Sequence, residues 1–273
     1  MTSLSGEHPK MNASAPAPLA AAELEKLAEV NAPIVVASPN VRYTPEEIVS
    51  DYAYDTTRVT RAPNGTLVAE NLRAQLTFHT QRKVPKTGVM LVGWGGNNGT
   101  TFTAGILANK LGLSWHTRTG ERKANFYGSL TQCATVRLGV TAEGEEVNVP
   151  LHDLLPMVCP TDLAISGWAI SGLNLADAMA RAKVLDYDLQ RQLAPHMEKM
   201  KPLRSIYFPD FIASNQEERA DNVLPATMTH KELLEHIRGD IRAFKAEHGL
   251  DKVIVLWTAT TERFAEVRAG LNT

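Results

Sequence analysis

The sequence predicts an α/β fold built on a doubly wound, mostly parallel sheet. From Gly88 onward, short apolar runs that suit buried strands alternate with amphipathic helical patterns. This alternation is typical of a parallel sheet covered by helices on both faces. Glycines and asparagines also fill the junction between the first of these strands and its helix. In sheets of this class, that junction is where ligands bind.

The N-terminal third of the chain has a different pattern. Residues 1–30 are rich in Ala, Pro and Ser and predict a disordered tail, in which Ala20–Glu29 suits a short helix. Residues 31–86 predict a separate segment of strands and one helix. Its expected elements are a strand at Ile34–Ala37, a helix beginning at Thr44 with Pro45 in its first turn, and strands at Thr57–Thr60 and Ala74–Thr80.

Residues 87–273 predict the sheet domain itself. The expected strands are Val89–Val92, Glu146–Val149, Asp162–Ile165, Arg204–Phe208 and Val253–Trp257. The expected helices are Thr101–Leu111, Asn174–Met200 and Thr229–Glu247, and an interruption of the second near Pro195 is left open. The sequence ends just as Thr261–Phe264 begins another helical pattern. A doubly wound sheet continues beyond such a point, so we expect the domain to be truncated and its sheet incomplete at the C-terminus.

Composition excludes several classes of partner. The formal net charge is −2 and no run of Lys and Arg stands out, which argues against nucleic acid or a membrane surface as the partner. No apolar run reaches the length of a membrane span, and no signal peptide is visible. Two cysteines, Cys133 and Cys159, provide neither a disulfide framework nor metal-site spacing. We therefore expect a cytoplasmic protein without a metal site.

The junction from Gly93 to Thr100, with the sequence GWGGNNGT, is the strongest local motif. Glycines permit close approach of a ligand to the backbone, and a helix N-terminus offers free N–H groups to an anion. The third glycine lies at Gly99, one position later than the G-x-G-x-x-G spacing requires, and no Gly-Lys-Ser/Thr follows. On spacing alone, a phosphate-binding loop and a plain turn into a helix cap both remain open.

Longer blocks of sequence decide between these interpretations. The blocks LVGWGGNNGTT, NFYGSLTQCATVRLG, DFIASNQEERADNVLP and DKVIVLWTATTERF occur in this order. Together they resemble the inositol-3-phosphate synthase family, also called myo-inositol-1-phosphate synthase, from about Val35 to the end of the chain. The resemblance implies a Rossmann-like NAD-binding portion of a cytoplasmic isomerase that assembles as a homo-oligomer, usually a tetramer.

The resemblance also implies an activity in inositol and phospholipid biosynthesis. The family oxidises D-glucose 6-phosphate at C5, closes the ring by an intramolecular aldol step, and reduces the product to 1D-myo-inositol 3-phosphate. The same NAD accepts the hydride and returns it, so it acts as a recycled cofactor.

Cofactor-binding residues follow from the family's motifs, position by position. The pyrophosphate loop corresponds to Gly95, Gly96, Asn97 and Asn98. The adenine side corresponds to Ser205 and Ile206, and further contacts correspond to Gln216 and Arg219. The nicotinamide side corresponds to Thr258, Ala259, Thr260 and Thr261. The loops beyond strand ends suit this role, whereas Ser205 and Ile206 fall at the start of a predicted strand and rest on the resemblance alone.

Two departures from the family's pattern concern the cofactor. Ala169 stands where the family has the Asp that binds the adenosine ribose, and Thr260 stands where it has Asn. The family's catalytic lysines correspond to positions beyond Thr273, so no catalytic residue is assigned here. We expect the chain alone to be inactive. The alternative is a non-catalytic, NAD-binding or regulatory fragment that associates with full-length subunits.

Overall fold

The computed structural model describes residues 20, 23, 25–26, 30 and 32–259, apart from the side chain of Ser214. The predicted disordered tail and the helix at Ala20–Glu29 fall almost entirely outside these residues. The chain divides into two compact units between Arg82 and Lys83. None of the described helices is both long enough and apolar enough to cross a bilayer.

The first unit is an antiparallel sheet of three strands, β1 (Val41–Tyr43), β2 (Glu47–Arg61) and β3 (Leu67–Gln81). β2 and β3 pair along their whole length and form a long hairpin. Gly65 turns the chain between them with a φ of 85°. The strands predicted at Thr57–Thr60 and Ala74–Thr80 are thus confirmed, and both extend further than predicted.

The helix predicted from Thr44 is wrong. The Thr44 hydroxyl oxygen accepts hydrogen bonds from the backbone N–H groups of Glu46 and Glu47, as a helix cap would. The Thr44 N–H then donates to the Glu47 carbonyl, which closes a turn, and the chain enters β2 instead of a helix. The strand predicted at Ile34–Ala37 does not form either.

The second unit contains the remaining elements. In chain order they are β4 (Thr87–Val92), α1 (Asn97–Lys110), β5 (Ser114–Thr117), β6 (Gly120–Lys123), α2 (Leu130–Cys133), β7 (Thr135–Val140), β8 (Glu146–Pro150), α3 (Leu151–Leu154), β9 (Ala164–Ala169), α4 (Leu175–Ala182), α5 (Tyr187–Met197), β10 (Leu203–Arg204), α6 (His230–Glu247) and β11 (Lys252–Trp257). Single 3₁₀ turns occur at Pro160–Asp162 and Ser214–Arg219.

Four strands of this unit form a parallel sheet in the order β10-β9-β4-β11. Taken in order of their appearance in the chain, these strands run 3-2-1-4 across the sheet, which is the doubly wound Rossmann order. The predicted fold class is therefore confirmed. The order reverses between β4 and β11, and this reversal marks the topological switch point at which such sheets bind ligands.

Alternate residues of β4 enter two separate cores, one on each face of the sheet. Val89 and Leu91 pack with residues of α1, α4 and α5. Met90 packs on the other face with Trp168 and Phe244. A strand that is apolar on both faces is the signature of a sheet covered on both sides.

Four element predictions in this unit need correction. The helix predicted at Thr101–Leu111 begins earlier, at Asn97, so it includes part of the predicted loop. The single helix predicted over Asn174–Met200 is two helices, because Lys183 ends α4 in the left-handed conformation with a φ of 52°. The strand predicted at Arg204–Phe208 is limited to Leu203–Arg204. The strand predicted at Asp162–Ile165 begins and ends later, at Ala164–Ala169.

Candidate functional site

A cavity of about 670 Å³ lies at the carboxyl edge of the parallel sheet. The segments that follow β4, β9, β10 and β11 all contribute to its lining. This volume is within the usual range for sites that hold small molecules and cofactors. The cavity therefore occupies the position that the doubly wound topology assigns to a ligand.

The loop after β4 forms one wall of the cavity with backbone rather than side chains. Gly93 has a φ of 93°, and a Cβ atom there would lie within 3 Å of Ala259. Its N–H donates to the Trp168 carbonyl at 2.8 Å, which fixes the loop to the end of β9. Gly96 caps α1 without a side-chain hydrogen bond, and the first turn of α1 contains no acidic residue. The N–H groups at this helix end can therefore face an anion.

Trp94 turns away from the cavity and packs into the core. Its side chain is 3% exposed, and its indole N–H donates to the Thr103 hydroxyl at 2.9 Å. The indole thus joins the loop to the second turn of α1. Trp94 is a packing residue, as the burial of this apolar ring favours.

The loop after β11 lies against the glycine loop. Thr258 donates from both its backbone N–H and its hydroxyl to the Val92 carbonyl, each at 2.9 Å. The side-chain amide of Asn98 donates to the Thr258 carbonyl at 3.3 Å. These bonds place Thr258 and Ala259 beside the N-terminus of α1. Ala169, at the end of β9, lies on the other side of the switch point.

Ser205 and Ile206 lie just past the carboxyl end of β10, because that strand ends at Arg204. The sequence predicts Ser205 and Ile206 at the start of a strand, whereas parallel sheets bind ligands beyond the carboxyl ends of their strands. Both residues line the cavity. Asn222 holds this edge together, since its side-chain amide donates to the Ala169 and Leu203 carbonyls, each at 3.0 Å.

The structure brings together nearly all the residues expected to bind the cofactor. Lining the same cavity are Gly95, Gly96, Asn97, Asn98, Ser205, Ile206, Gln216, Arg219, Thr258 and Ala259. The two that remain, Thr260 and Thr261, lie outside the described residues. Contact of each residue with a cofactor stays a prediction.

The segment from Tyr207 to Arg219 forms the far wall of the cavity. The Tyr207 hydroxyl donates to the Ala213 carbonyl at 2.7 Å. Burial raises the pKa of this phenol above its ordinary value, and the nearby negative charge of Glu217 raises it further. Arg219 donates from its guanidinium to the side-chain oxygen of Gln216, so the two predicted residues are held together.

Arg181, at the end of α4, is a cavity residue that the sequence did not reveal. One guanidinium nitrogen donates to the Gly95 carbonyl at 2.7 Å. Burial lowers the pKa of this guanidinium from its ordinary value, the positive charge of Arg219 lowers it further, and Asp221 opposes both. The helix dipole alone favours an arginine in the last turn of a helix. The position of Arg181 in the sequence therefore gave no indication that it reaches the cavity.

The residues present fit a dinucleotide. A bare glycine wall admits a pyrophosphate close to the backbone, and two guanidinium groups supply positive charge to an anionic ligand. Among the described residues that line the cavity, none is Asp or Glu. The site is therefore suited to a ligand that carries several negative charges.

Comparison with known proteins agrees with this geometry. Residues 87–273 match an NAD-binding family model described as myo-inositol-1-phosphate synthase. NAD is accordingly the cofactor of this domain.

Individual relatives extend the similarity to most of the chain. Inositol-3-phosphate synthase 1 from Bos taurus is 60% identical over 238 residues, which are 87% of this chain and 42% of the relative. The Homo sapiens protein of the same name is 58% identical over 244 residues, covering 89% of this chain and 43% of the relative. The chain thus spans less than half the length of these relatives.

One solved structure shows the same similarity in three dimensions. The crystal structure of inositol-3-phosphate synthase from Caenorhabditis elegans superposes with a TM-score of 0.79 at 48% identity. The match covers 88% of this chain and 47% of that one.

Proposed function

The chain belongs to the myo-inositol-1-phosphate synthase family, and from that premise we propose that it is the NAD-binding portion of an inositol-3-phosphate synthase. The complete activity would convert D-glucose 6-phosphate to 1D-myo-inositol 3-phosphate. The observation that supports this proposal is the convergence of four strand ends on one cavity at the switch point of the sheet.

Within that activity the chain's own residues bind and orient the dinucleotide. The N-terminal turn of α1 beside Gly95 and Gly96 would hold the pyrophosphate. Ser205 and Ile206 would contact the adenine side, and Thr258 would approach the nicotinamide. The bound cofactor would supply a reversible hydride acceptor, and the loop after β11 would hold its nicotinamide half.

The ionisable groups on the cavity wall suit binding better than proton transfer. They are Arg181, Arg219 and Tyr207 among the described residues. An arginine stays protonated at all accessible pH values, and the pKa of Tyr207 is raised. A general acid or base works best with a pKa near the operating pH. We propose that the groups for the aldol chemistry come from outside the described residues.

Titration of the 273-residue chain with NAD by calorimetry tests the binding function. We expect saturable binding, and Gly95→Val should weaken it by about tenfold or more, because the added side chain points at Ala169 only 3.1 Å from its Cβ position. Gly105→Ala, in open space on α1, which follows this loop, is the control and should leave affinity unchanged. Absence of NAD binding to a folded chain would refute the proposal.

A coupled assay of inositol phosphate formation tests the activity separately. The purified chain should bind NAD without turning over glucose 6-phosphate. Turnover by the chain alone would show that the described cavity, with its neighbours, already contains the acid and base groups.

The second candidate is a non-catalytic or regulatory subunit that associates with full-length synthase. The exposed edge of the sheet favours it. β11 pairs only with β4 among the described residues, and its Ile254, Val255, Leu256 and Trp257 side chains are between 39% and 59% exposed. An apolar edge strand is a template for pairing with another chain. Co-migration with full-length synthase in size exclusion supports this role, and separate elution of both proteins argues against it.

We also propose that the protein works in the cytoplasm as a homo-oligomer. On one face of the hairpin in the first unit, Tyr52, Tyr54, Leu76 and Phe78 are each about half exposed. Clustered exposed apolar side chains are typical of association surfaces. Light scattering across a concentration series should give a mass above that of the 29.9 kDa chain.

A further inference from the structure

The end of β9 lacks the acid that dinucleotide-binding sheets use to hold the adenosine ribose. In such sheets, an Asp or Glu there accepts hydrogen bonds from the ribose hydroxyls, and NADP-binding sites instead place an arginine nearby. Here β9 ends at Ala169, which is followed by Ile170 and Ser171. All three line the cavity. The ribose end of the cavity is thus uncharged along the strand itself.

Arg181 lies next to this strand end. Its guanidinium donates to the Gly95 carbonyl at 2.7 Å, and a Cβ atom built on Gly95 would lie 3.1 Å from the Ala169 Cβ. Gly95 is thus a shared neighbour of Arg181 and Ala169, and all three residues line the same cavity. A guanidinium has five N–H donors in a fork that matches phosphate oxygens.

Arg219 brings a second positive charge to the same space. It lines the cavity and is close enough to Arg181 to lower that residue's pKa. The carboxylate of Asp221 also acts on Arg181, but its Oδ1 accepts the Gly172 N–H at 2.7 Å and it does not line the cavity. Two like charges face a volume whose described lining contains no carboxylate.

We propose that this cavity accepts a phosphate on the 2′ oxygen of the adenosine ribose and binds NADP at least as tightly as NAD. The inference rests on the proposed dinucleotide site and adds a ligand that the NAD-binding family model does not predict. Charge-assisted, bidentate contacts from arginine are the strong form of phosphate recognition. A 2′-phosphate between the two guanidinium groups would also offset the repulsion of their positive charges.

Calorimetry with two ligand pairs tests the inference on the full 273-residue chain. The first pair is NAD⁺ and NADP⁺. The second is adenosine 5′-monophosphate and adenosine 2′,5′-bisphosphate, which differ only in the 2′-phosphate. We expect a Kd for NADP⁺ at or below that for NAD⁺, and tighter binding of the bisphosphate than of the monophosphate.

The outcomes separate the inference from the proposed function. Tighter binding of NAD⁺ than of NADP⁺ would overturn the inference and leave the dinucleotide site intact. Binding of neither dinucleotide would overturn both.

Variants assign the effect to the two arginines. Arg181→Gln and Arg219→Gln should each weaken NADP⁺ binding more than NAD⁺ binding, so that the ratio of the two Kd values shifts by about tenfold or more against NADP⁺. Because Arg219 is exposed, its variant keeps the test valid if the Arg181 variant does not fold. Arg238→Gln removes an exposed arginine paired with Glu235 on α6 and is the matched control for the lost charge.

A reciprocal variant tests position 169. Ala169→Asp should weaken NADP⁺ by about tenfold or more through repulsion of the phosphate, and strengthen NAD⁺ through the ribose hydroxyls. Ala169→Asn has nearly the same shape without the charge and should show much less of the NADP⁺ loss. Equal effects of both substitutions would mean that size, not charge, sets the preference, and would count against the inference.

Discussion

Gly99 lets the first turn of α1 pack directly against the glycine loop. A Cβ atom at this position would lie 2.3 Å from the Trp94 carbonyl oxygen and 2.6 Å from its Cα. In the standard dinucleotide fingerprint the third glycine provides this close packing. Here the same role falls one residue later. The unusual spacing in the sequence is therefore a shift of one packing contact along the helix.

Two glycine substitutions in α1 should have opposite effects on the free energy of unfolding. Gly99→Ala should destabilise the protein by about 1–3 kcal/mol or more, because backbone atoms of Trp94 block the new methyl group. Gly105→Ala meets nothing within 4 Å and should stabilise the helix by about 0.5–1 kcal/mol. Urea denaturation of both variants measures the difference. Equal effects would show that α1 does not pack on the loop as described.

At this scale the sequence predicted residues that directly follow a strand, including Asn97 and Asn98 in the first turn of α1, and missed Arg181 at the end of a helix. The glycine loop and Thr258 follow apolar strands directly, so strand order alone places them at the cavity. Arg181 reaches Gly95 from the last turn of α4, and only the packing of α4 against α1 brings it there. Pairwise packing of two helices has no local signal.

α6 begins with a complete capping box. The Thr229 hydroxyl oxygen accepts the Glu232 N–H at 3.3 Å, and the Glu232 carboxylate accepts the Thr229 N–H at 2.7 Å. These reciprocal bonds satisfy N–H groups that have no partner in the helix. The sequence predicts a helix at Thr229–Glu247, and the structure confirms it at His230–Glu247 with Thr229 as its cap.

Thr229→Ala should reduce the free energy of unfolding by about 1 kcal/mol and should also reduce its dependence on pH. Hydrogen bonds from the Thr229 backbone and side chain lower the pKa of Glu232 below its usual 4.5. A carboxyl whose pKa is lower in the folded state stabilises the fold above its unfolded pKa and loses that effect as pH falls through the folded pKa. Thermal unfolding between about pH 3 and 6 measures this.

The control is Glu232→Gln, which keeps the shape and cannot ionise. Its stability should change less with pH than that of the parent over the same range. A parent-like pH profile in both variants would mean that the carboxylate of Glu232 does not contribute.

Predictions of element boundaries were wrong where the local conformational preference of a segment disagrees with its tertiary contacts. The Thr44-Pro45 pair has the chemistry of a helix start, but the following residues pair over fifteen positions with β3, and that ladder outweighs one cap. Conversely, the periodicity over Asn174–Met200 is continuous, yet Lys183 adopts a left-handed conformation. That position shows neither of the usual C-cap residues, Gly or Asn.

The two units differ in what the sequence could predict about each. Strand order in the second unit follows from the right-handed crossovers that join parallel strands, which leave few topologies open. The full length of the hairpin in the first unit could not be predicted, because exposed strands lack the apolar alternation that marks a buried face. Val59, Leu67 and Val68 near its turn are mostly exposed.

Cofactor binding should protect one unit and not the other. Because the described residues that line the cavity all belong to the second unit, NAD should slow amide hydrogen exchange at residues 93–98, 205–207 and 258–259. Exchange in the β2–β3 hairpin should stay unchanged. Hydrogen-exchange mass spectrometry with and without NAD measures both. Protection confined to the hairpin would place the ligand elsewhere.

The hydrogen bonds between Val92, Asn98 and Thr258 also have a kinetic consequence. The Val92 carbonyl receives two bonds from Thr258, and Asn98 adds a third across the same seam. If the loops after β4 and β11 move apart, these bonds break together with the pairs at the Val92–Trp257 end of the β4–β11 ladder. Opening on this side is then a cooperative local unfolding event rather than the swing of a lid. A bound ligand's residence time would follow the stability of the sheet edge, and denaturant below the unfolding midpoint would shorten it.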